Sequence, residues 1–214
     1  MKTVRSLCLL AAFAAAVIAA PATHAGPVPV DFGTTGTFNG SNDTFYDAGG
    51  NNIISFDGLG LKTINLDTTS PTVSTTNFGS FDTTLFNSTA EITFSVSFAL
   101  TIQQLNPTPS GSDIIVFTGT IAGSLSNGTS SLTLTFDPPL FQTIAGSPDV
   151  KYSIISADTG IPGTVAIAPN LSGGATTIQG RVEISAVPEP STIALAGLAA
   201  PMVLMYRRRS LRTV

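Results

Sequence analysis

Apolar and polar residues alternate strictly over one long stretch in the middle of the chain, from Glu91 to Ile102. The apolar members of this alternation are Ile92, Phe94, Val96, Phe98, Leu100 and Ile102. Successive side chains of a β-strand point to opposite faces, so a period of two places all of these residues on one face. The pattern therefore predicts a long strand with one face buried in a core and the other face in water.

The body of the chain, residues 26–186, shows shorter strand-like runs separated by Gly, Pro, Asn and Asp. The predicted strands are 29–32, 52–56, 59–66, 72–77, 113–124, 132–136, 140–145, 151–156, 164–168 and 176–186. Asp57-Gly58 and Asn127-Gly128 are typical of tight hairpin turns between such strands. The body shows no amphipathic helix pattern. These features predict an all-β fold, an antiparallel β-sandwich with a jelly-roll-like arrangement.

The first 25 residues have the three-part order of a secretory signal peptide. Cations near the start lead into an apolar run from Leu7 to Ala20, and small residues follow. We expect an N-terminal signal-peptide helix, export through the Sec translocon, and cleavage by signal peptidase between Ala25 and Gly26. Cleavage after Ala22 is the alternative.

Cleavage at this site changes the chemistry that the mature chain has to offer. Cys8 is the only cysteine and His24 the only histidine of the whole sequence. A chain cut after Ala25 has neither, which excludes disulfides, a cysteine nucleophile, a Ser-His-Asp triad and the usual zinc sites.

The C-terminal segment, residues 187–214, has three parts in a fixed order. They are the stiff, extended stretch Val187-Pro188-Glu189-Pro190, an apolar span at 191–206, and the cluster Arg207, Arg208 and Arg209. The apolar span predicts a single transmembrane helix of about 24 Å, shorter than the roughly 30 Å hydrocarbon core of a bilayer. The arginines that follow it predict a cytoplasmic C-terminus and a body outside the membrane.

This order resembles the PEP-CTERM sorting signal of bacterial surface proteins, a likeness carried by about 23 residues. The resemblance implies a precursor that is held in the membrane by its tail and recognised by an exosortase, which removes the tail near Pro188, Glu189 and Pro190. Pro201 departs from the Leu, Gly and Ala usual in the apolar span of that family. A plain single-pass anchor that no enzyme processes is the alternative.

The body carries a second and weaker resemblance. Its Thr-rich strands and the stretch Phe78-Gly79-Ser80-Phe81 resemble the choice-of-anchor β-domains found in front of such tails. This likeness implies a β-sandwich and no particular activity.

The charge of the body argues against nucleic acid as a partner. The body contains only three cations, Lys62, Lys151 and Arg181, and twelve Asp and Glu residues. Its net charge is therefore −9. A chain without a basic surface has nothing with which to neutralise phosphates. Acidity of this kind favours solubility outside the cell.

Two sets of residues are candidates for chemistry, and each has a simpler explanation. Glu91 and Glu183 are the glutamates of the body and would form the carboxylate pair of a glycoside hydrolase, yet both fall at outward strand positions. A second set offers oxygen ligands to Ca²⁺ but lacks the spacing of an EF-hand and suits turns. It comprises Asn42, Asp43, Asp47, Asn51 and Asn52. We predict no catalytic residue, no metal site and no cofactor.

Several asparagines begin Asn-x-Ser/Thr triplets, the acceptor pattern for N-glycosylation. They are Asn39, Asn42, Asn87, Asn127 and Asn170. In a chain this rich in Asn, Ser and Thr, chance produces several such triplets.

Together these features predict an exported protein of the cell surface or extracellular matrix that is not an enzyme. We expect a structural or adhesive role linked to exopolysaccharide, with extracellular polysaccharide as a candidate partner. The alternative is a carbohydrate-binding module, for which Tyr46 and Tyr152 are the tyrosines available as exposed aromatics. The second alternative is the carboxylate-dependent hydrolase.

Overall fold

The computed structural model describes residues 26–41, 43–47, 52–67, 73–158 and 160–185. Within these residues the protein is all-β, with twelve strands and one short 3₁₀ turn at Asn170–Ser172. The described part of the chain contains no helix long and apolar enough to cross a membrane. The predicted signal-peptide helix and the C-terminal transmembrane helix lie outside the described residues.

The strands form two six-stranded sheets, and within each sheet every pair of neighbouring strands is antiparallel. Sheet A contains, in spatial order, β11 (Thr164–Ala166), β8 (Thr133–Phe136), β7 (Ile114–Leu125), β6 (Ile92–Asn106), β1 (Val28–Phe38) and β4 (Lys62–Leu66). Sheet B contains β2 (Phe45–Asp47), β3 (Asn52–Asp57), β5 (Val73–Asp82), β12 (Ala175–Ile184), β10 (Val150–Ile154) and β9 (Phe141–Ile144). The prediction of an all-β, antiparallel, sandwich-like body is confirmed.

The hydrophobic core lies between the two sheets and is built from alternate residues of their strands. The face of β6 that the alternation marks as apolar points into this core, and Phe98 lies at its centre with 1% of its surface exposed. Its ring centroid lies 5.0 Å from that of Phe81 and 5.2 Å from that of Phe56 on sheet B, and 5.3 Å from that of Phe38 on sheet A. The core residues of the described part of the chain all lie within 28–184, inside the compact unit Pro27–Ala186.

The body enters and leaves the sandwich at the same end, which we call the base. In sheet A, β1 begins and β6 ends there, with Asp31 opposite Asn106. In sheet B, β12 ends there beside the start of β10, and the packing of Phe32 on Tyr152 aligns the two sheets at this level. The opposite end, which we call the tip, is built from the loops 83–91, 126–132 and 167–174.

The predicted hairpin at Asp57-Gly58 is wrong, because β3 and β4 belong to different sheets. β3 pairs with β2 and β5, whereas β4 pairs with β1, so the chain crosses between the sheets at this point. A Cβ on Gly58 would collide with the carbonyl oxygen of Thr34. The Thr34 hydroxyl also accepts the N–H of Leu59 at 2.8 Å. Glycine at this position permits a close approach of two backbone segments. The sequence pattern alone does not distinguish such a glycine from one that forms a hairpin turn.

The second predicted hairpin is confirmed, since β7 and β8 pair across the Asn127-Gly128 turn. Other strands are longer than the pattern predicts. β1 continues through Gly33 and Gly36 to Phe38, and β5 continues to Asp82 through a stretch predicted to be loop. β2 also lies in a stretch predicted to be loop.

Candidate functional site

A shallow groove of about 480 Å³ lies on the outer face of sheet A, near the base. This groove is lined by residues that include Gly33, Thr35, Leu61, Thr101, Leu105 and Ile114. β1 and β6 supply its floor, where Gly33 pairs with Gln103 and Thr35 pairs with Thr101. Glycine and threonine are short at these outward positions, so the floor lies below the side chains on either side.

Exposed aliphatic side chains form the walls of the groove. Leu61 stands on one side, just before β4, while Leu105 at the end of β6 and Ile114 at the start of β7 stand on the other side. Exposed leucine and isoleucine gathered around one concavity mark an interaction surface more often than an ordinary solvated face.

The apolar character of β7 on this face has a signal in the sequence. Ile114-Ile115-Val116-Phe117 is an unbroken apolar run, which departs from strict alternation. Ile115 and Phe117 point into the core, so Ile114 and Val116 point outward, and both are exposed. Sequence reasoning that looks for buried faces finds the inward pair and misses the outward pair.

The chemistry that the groove offers is binding by burial of apolar surface. None of its described lining residues is charged. At its rim Gln103 Nε2 donates to Asp113 Oδ2 at 2.9 Å, which occupies that amide group. The described lining contains no nucleophile paired with a base, as a catalytic cleft would need.

The structure does not bring Glu91 and Glu183 together. Glu91 is exposed at the tip, just before β6 of sheet A, whereas Glu183 lies on the outer face of sheet B near the base. β6 alone spans about 45 Å between these ends, while the carboxyl groups of a glycoside hydrolase are roughly 5–10 Å apart. No pair of catalytic carboxylates forms from these two residues.

Glu183 instead belongs to a charged cluster on sheet B, which we call the sheet B platform and define by Phe141, Lys151, Arg181 and Glu183. Its carboxylate accepts from Arg181 at 2.6 Å and from Lys151 at 3.2 Å. Lys151 Nζ also lies 4.7 Å from the ring centroid of Phe141, a cation–π contact, and Phe141 is 53% exposed. These residues come from the adjacent strands β9, β10 and β12.

The two tyrosines considered as exposed aromatics are not exposed. Tyr152 is fully buried, its hydroxyl donates to Gln104 Oε1 at 3.1 Å, and burial raises the pKa of the phenol well above its ordinary value of 10.0. Tyr46 is half-buried and packs on Phe94 with ring centroids 5.1 Å apart. The exposed aromatic rings of the described residues are Phe45 and Phe141, which are the first residues of the short strands β2 and β9 and carry no distinguishing pattern in the sequence.

Of the Asn and Asp residues considered as calcium ligands, Asp43 lies in the loop between β1 and β2, whereas Asp47 and Asn52 lie in strands. The backbone carbonyl of Asp43 accepts a hydrogen bond from the N–H of Phe38 at 3.2 Å. The backbone N–H of Asp43 donates to the Ser41 hydroxyl, also at 3.2 Å. Asp47 and Asn52 lie opposite each other in the β2–β3 pair. Asn42 and Asn51 lie outside the described residues. Among the residues that are described, no three His, Cys, Asp or Glu side chains form a group that could hold a metal ion.

Three of the Asn-x-Ser/Thr asparagines meet at the tip and tie its loops together. Asn170 Nδ2 donates to the carbonyls of Thr84 at 3.0 Å and Phe86 at 3.1 Å. Asn127 Nδ2 donates to Asn87 Oδ1 at 3.4 Å. These amides are therefore used in loop packing, which gives the asparagines a structural explanation.

Two leucines of the tip are strongly exposed: Leu85 by 68% and Leu171 by 74%. Leu171 follows Asn170 in the chain, and Leu85 lies between the two residues whose carbonyls the Asn170 amide contacts. The tip therefore carries apolar side chains on a framework of fixed loops.

The sorting and processing residues lie outside the described residues, with one exception. They are Ala25, Pro188, Glu189, Pro190, Arg207, Arg208 and Arg209. Gly26 is described and exposed. No family model matches the chain, and neither a curated protein nor a solved structure shows significant similarity to it.

Proposed function

We propose that this is an exported protein of the cell surface or extracellular matrix, sorted and C-terminally processed by an exosortase. The observation that carries the proposal is the order within 187–209: Pro-Glu-Pro, an apolar span and an arginine cluster, behind an N-terminal signal peptide. The proposed organisation is a signal peptide at 1–25, a body at 26–186 and a sorting tail at 187–214. Signal peptidase, the Sec translocon, the membrane and an exosortase are its partners in processing.

The body is proposed to be structural or adhesive and linked to exopolysaccharide; it is proposed not to be an enzyme and to bind no cofactor. What supports this role is the kind of surface it presents. The two glutamates lie at opposite ends of the sandwich, and the described lining of the groove is apolar and uncharged. Such a surface suits attachment to another macromolecule better than turnover of a substrate.

The first test is the intact mass of the mature protein purified from its native cells. We expect the mass of a chain that begins at Gly26 and ends near Pro190, because both the signal peptide and the sorting tail are removed. A mass that includes Arg207 to Val214 would show a permanent anchor and overturn the sorting part of the proposal.

A variant sharpens this test. Replacing Pro188, Glu189 and Pro190 together with alanine should leave the protein uncut in the membrane fraction. The matched control replaces Thr192, Pro201 and Ser210, outside the motif, with alanine and should be processed normally. Equal release of both variants would contradict recognition of the motif.

The sheet B platform supports a second candidate, a carbohydrate-binding module. Phe141 offers an exposed ring beside the hydrogen-bonding groups of Lys151 and Arg181 on sheet B. A glycan array with the purified body should show saturable binding that Phe141→Ala abolishes and that Phe45→Ala, a change at the other exposed ring, leaves intact. Absence of saturable binding would reject this candidate.

The jelly-roll-like arrangement is the finer part of the fold proposal. What supports it is that β1 and β12, the first and last strands, lie inside their sheets and each pairs with a strand far along the chain. An experimental structure that gives the connections between strands would test it.

A further inference from the structure

We propose that this protein modifies itself at one Asn-Gly pair, by deamidation of Asn39 through attack of the Gly40 backbone nitrogen. The sequence contains two such pairs, Asn39-Gly40 and Asn127-Gly128. The first pair is reactive, whereas hydrogen bonds in the folded protein protect the second. This inference goes beyond the proposed function and does not depend on export or sorting.

The reaction needs only the chain itself and water. The backbone nitrogen of Gly40 loses its proton and attacks Cγ of Asn39, which glycine allows because no side chain shields its nitrogen. The bond between Cγ and Nδ2 breaks, ammonia leaves with that proton, and a five-membered succinimide remains. Water then opens the ring at either carbonyl, which gives aspartate or isoaspartate. One water molecule is taken up and one ammonia molecule is released, so a neutral amide becomes a carboxylate.

Asn39 and Gly40 are the two central residues of a tight turn at the end of β1. The backbone N–H and the hydroxyl of Ser41 both donate to the Phe38 carbonyl, at 3.0 Å and 2.7 Å, and close the turn. Both central residues have positive φ, 54° for Asn39 and 67° for Gly40, as in a type I′ turn. The ends of the turn are therefore fixed, while Asn39 holds a left-handed backbone conformation that costs free energy.

The peptide group between Asn39 and Gly40 can rotate inside this turn. Formation of the succinimide requires such a rotation, because the Gly40 nitrogen must turn toward Cγ of Asn39. Within the described residues, neither the Asn39 carbonyl nor the Gly40 N–H has a hydrogen-bond partner, and the Asn39 carboxamide has none either. Both residues are exposed, and no atom lies within 4 Å of the position that a Cβ on Gly40 would take. The reacting groups and water can therefore reach the geometry that the reaction needs.

The second pair, Asn127-Gly128, has the same chemistry but is held in place. The Asn127 carbonyl belongs to the peptide group that would have to rotate, and it accepts a hydrogen bond from the N–H of Leu171 at 2.8 Å. The Asn127 N–H donates to the Ser88 carbonyl at 2.8 Å, and its Nδ2 donates to Asn87 Oδ1 at 3.4 Å. Attack by the Gly128 nitrogen requires the hydrogen bond to the Asn127 carbonyl to break first, which slows the reaction.

The two products differ in their effect on the fold. Aspartate keeps the backbone of the turn, whereas isoaspartate lengthens the backbone between Phe38 and Ser41 by one carbon atom. The hydrogen bond that closes the turn then loses its geometry, beside the Asn39 N–H that donates to the Ser97 carbonyl of β6 at 3.0 Å. Both products also add a negative charge to a body that is already acidic. The modification thus makes the loop between β1 and β2 different in old and in newly made copies of the protein.

The experiment is peptide mapping by mass spectrometry of the mature protein, purified from its native cells and incubated at neutral pH. In the folded protein, Asn39 should deamidate about tenfold faster than Asn127 or more, because hydrogen bonds hold the second pair. In urea the two pairs should react at similar rates, since unfolding removes the protection. Equal rates in the folded protein, a faster reaction at Asn127, or no reaction at Asn39 would overturn the proposal.

A pair of variants tests the cause of the protection. Leu171→Pro lacks the N–H that holds the Asn127 carbonyl, whereas Leu171→Ala keeps this N–H and is the matched control. Leu171→Pro should raise the rate at Asn127 by about threefold or more, and Leu171→Ala should not. Neither variant should change the rate at Asn39, which reports an intact turn after β1. An unchanged rate at Asn127 in a folded Leu171→Pro protein would overturn the protection, and the wild-type comparison decides the proposal even if this variant does not fold.

Discussion

The hydroxyl of Tyr152 on sheet B donates a hydrogen bond to Oε1 of Gln104 on sheet A, at 3.1 Å, inside the core. Both side chains are buried, and Gln104 Nε2 donates in turn to the Pro107 carbonyl at 2.7 Å. This chain of hydrogen bonds joins the two sheets to the loop that follows β6. It also satisfies a buried amide that would otherwise destabilise the core.

Removing the Tyr152 hydroxyl should therefore cost more than the loss of an average hydrogen bond. We expect Tyr152→Phe to lower the free energy of unfolding by about 1–3 kcal/mol, because it leaves Gln104 Oε1 buried without its partner. Chemical denaturation of the body measures this change. Tyr46→Phe, at a half-buried tyrosine, is the control and should change stability by less than about 0.5 kcal/mol.

The same phenol should make the body sensitive to alkali. Burial raises the pKa of Tyr152 in the folded state above the value of 10.0 that applies in the unfolded chain. Above pH 10 the unfolded chain loses this proton while the folded chain keeps it, so unfolding is favoured and stability falls as the pH rises.

Denaturation curves at pH 9, 10 and 11 test this dependence. The difference in stability between the wild type and Tyr152→Phe should narrow as the pH rises through this range, because the variant has no proton to lose at this position. A difference that stays constant with pH would contradict a raised pKa.

The core around Phe98 should be the most sensitive part of the body to truncation. Phe98→Ala removes a ring that contacts rings from both sheets, and we expect a loss of about 3–5 kcal/mol in the free energy of unfolding. Phe45→Ala, at an exposed ring, should cost less than about 1 kcal/mol. Thermal denaturation measures both variants. Equal losses of stability in Phe98→Ala and Phe45→Ala would contradict the central role of Phe98 in the core.

Gly180 should not tolerate a side chain. A Cβ at this position of β12 would collide with the ring of Phe78, which is itself fully buried. We expect Gly180→Ala to destabilise the body by about 1–3 kcal/mol, the usual cost of overpacking. The control is Gly111→Ala, which adds the same methyl group where no atom lies within 4 Å. Equal stability of the two variants would show that sheet B shifts to accept the methyl group.

The sequence predicts those parts of the fold that depend on local alternation. The burial of alternate residues in β6 follows directly from its period of two, and the Asn127-Gly128 hairpin follows from turn chemistry. The crossing at Gly58 does not, because a glycine that allows two backbones to meet looks the same in sequence as a glycine that turns the chain. Gln104 illustrates a second limit, since a polar residue on the inward face becomes acceptable only when a distant tyrosine supplies its partner.

The candidate surfaces were harder to predict than the core, also for a physical reason. The groove gathers residues from β1, β6, β7 and the chain before β4, and no local pattern records that these segments meet. The apolar run from Ile114 to Phe117 is the clearest local signal of it. Phe141 has no such signal, because its exposure depends on the position of β9 at the edge of sheet B.

The positions of the two ends of the body bear on how this domain can be recombined in evolution more than on its stability. Because β1 begins and β12 ends at the base, both ends of the described body lie on one side of the fold, opposite the tip. A domain built in this way can be recombined as a cassette, since a new address can replace an old one without a change in the sheets. Selection can then act on the segments joined at the base and on the exposed faces of the sandwich as separate traits.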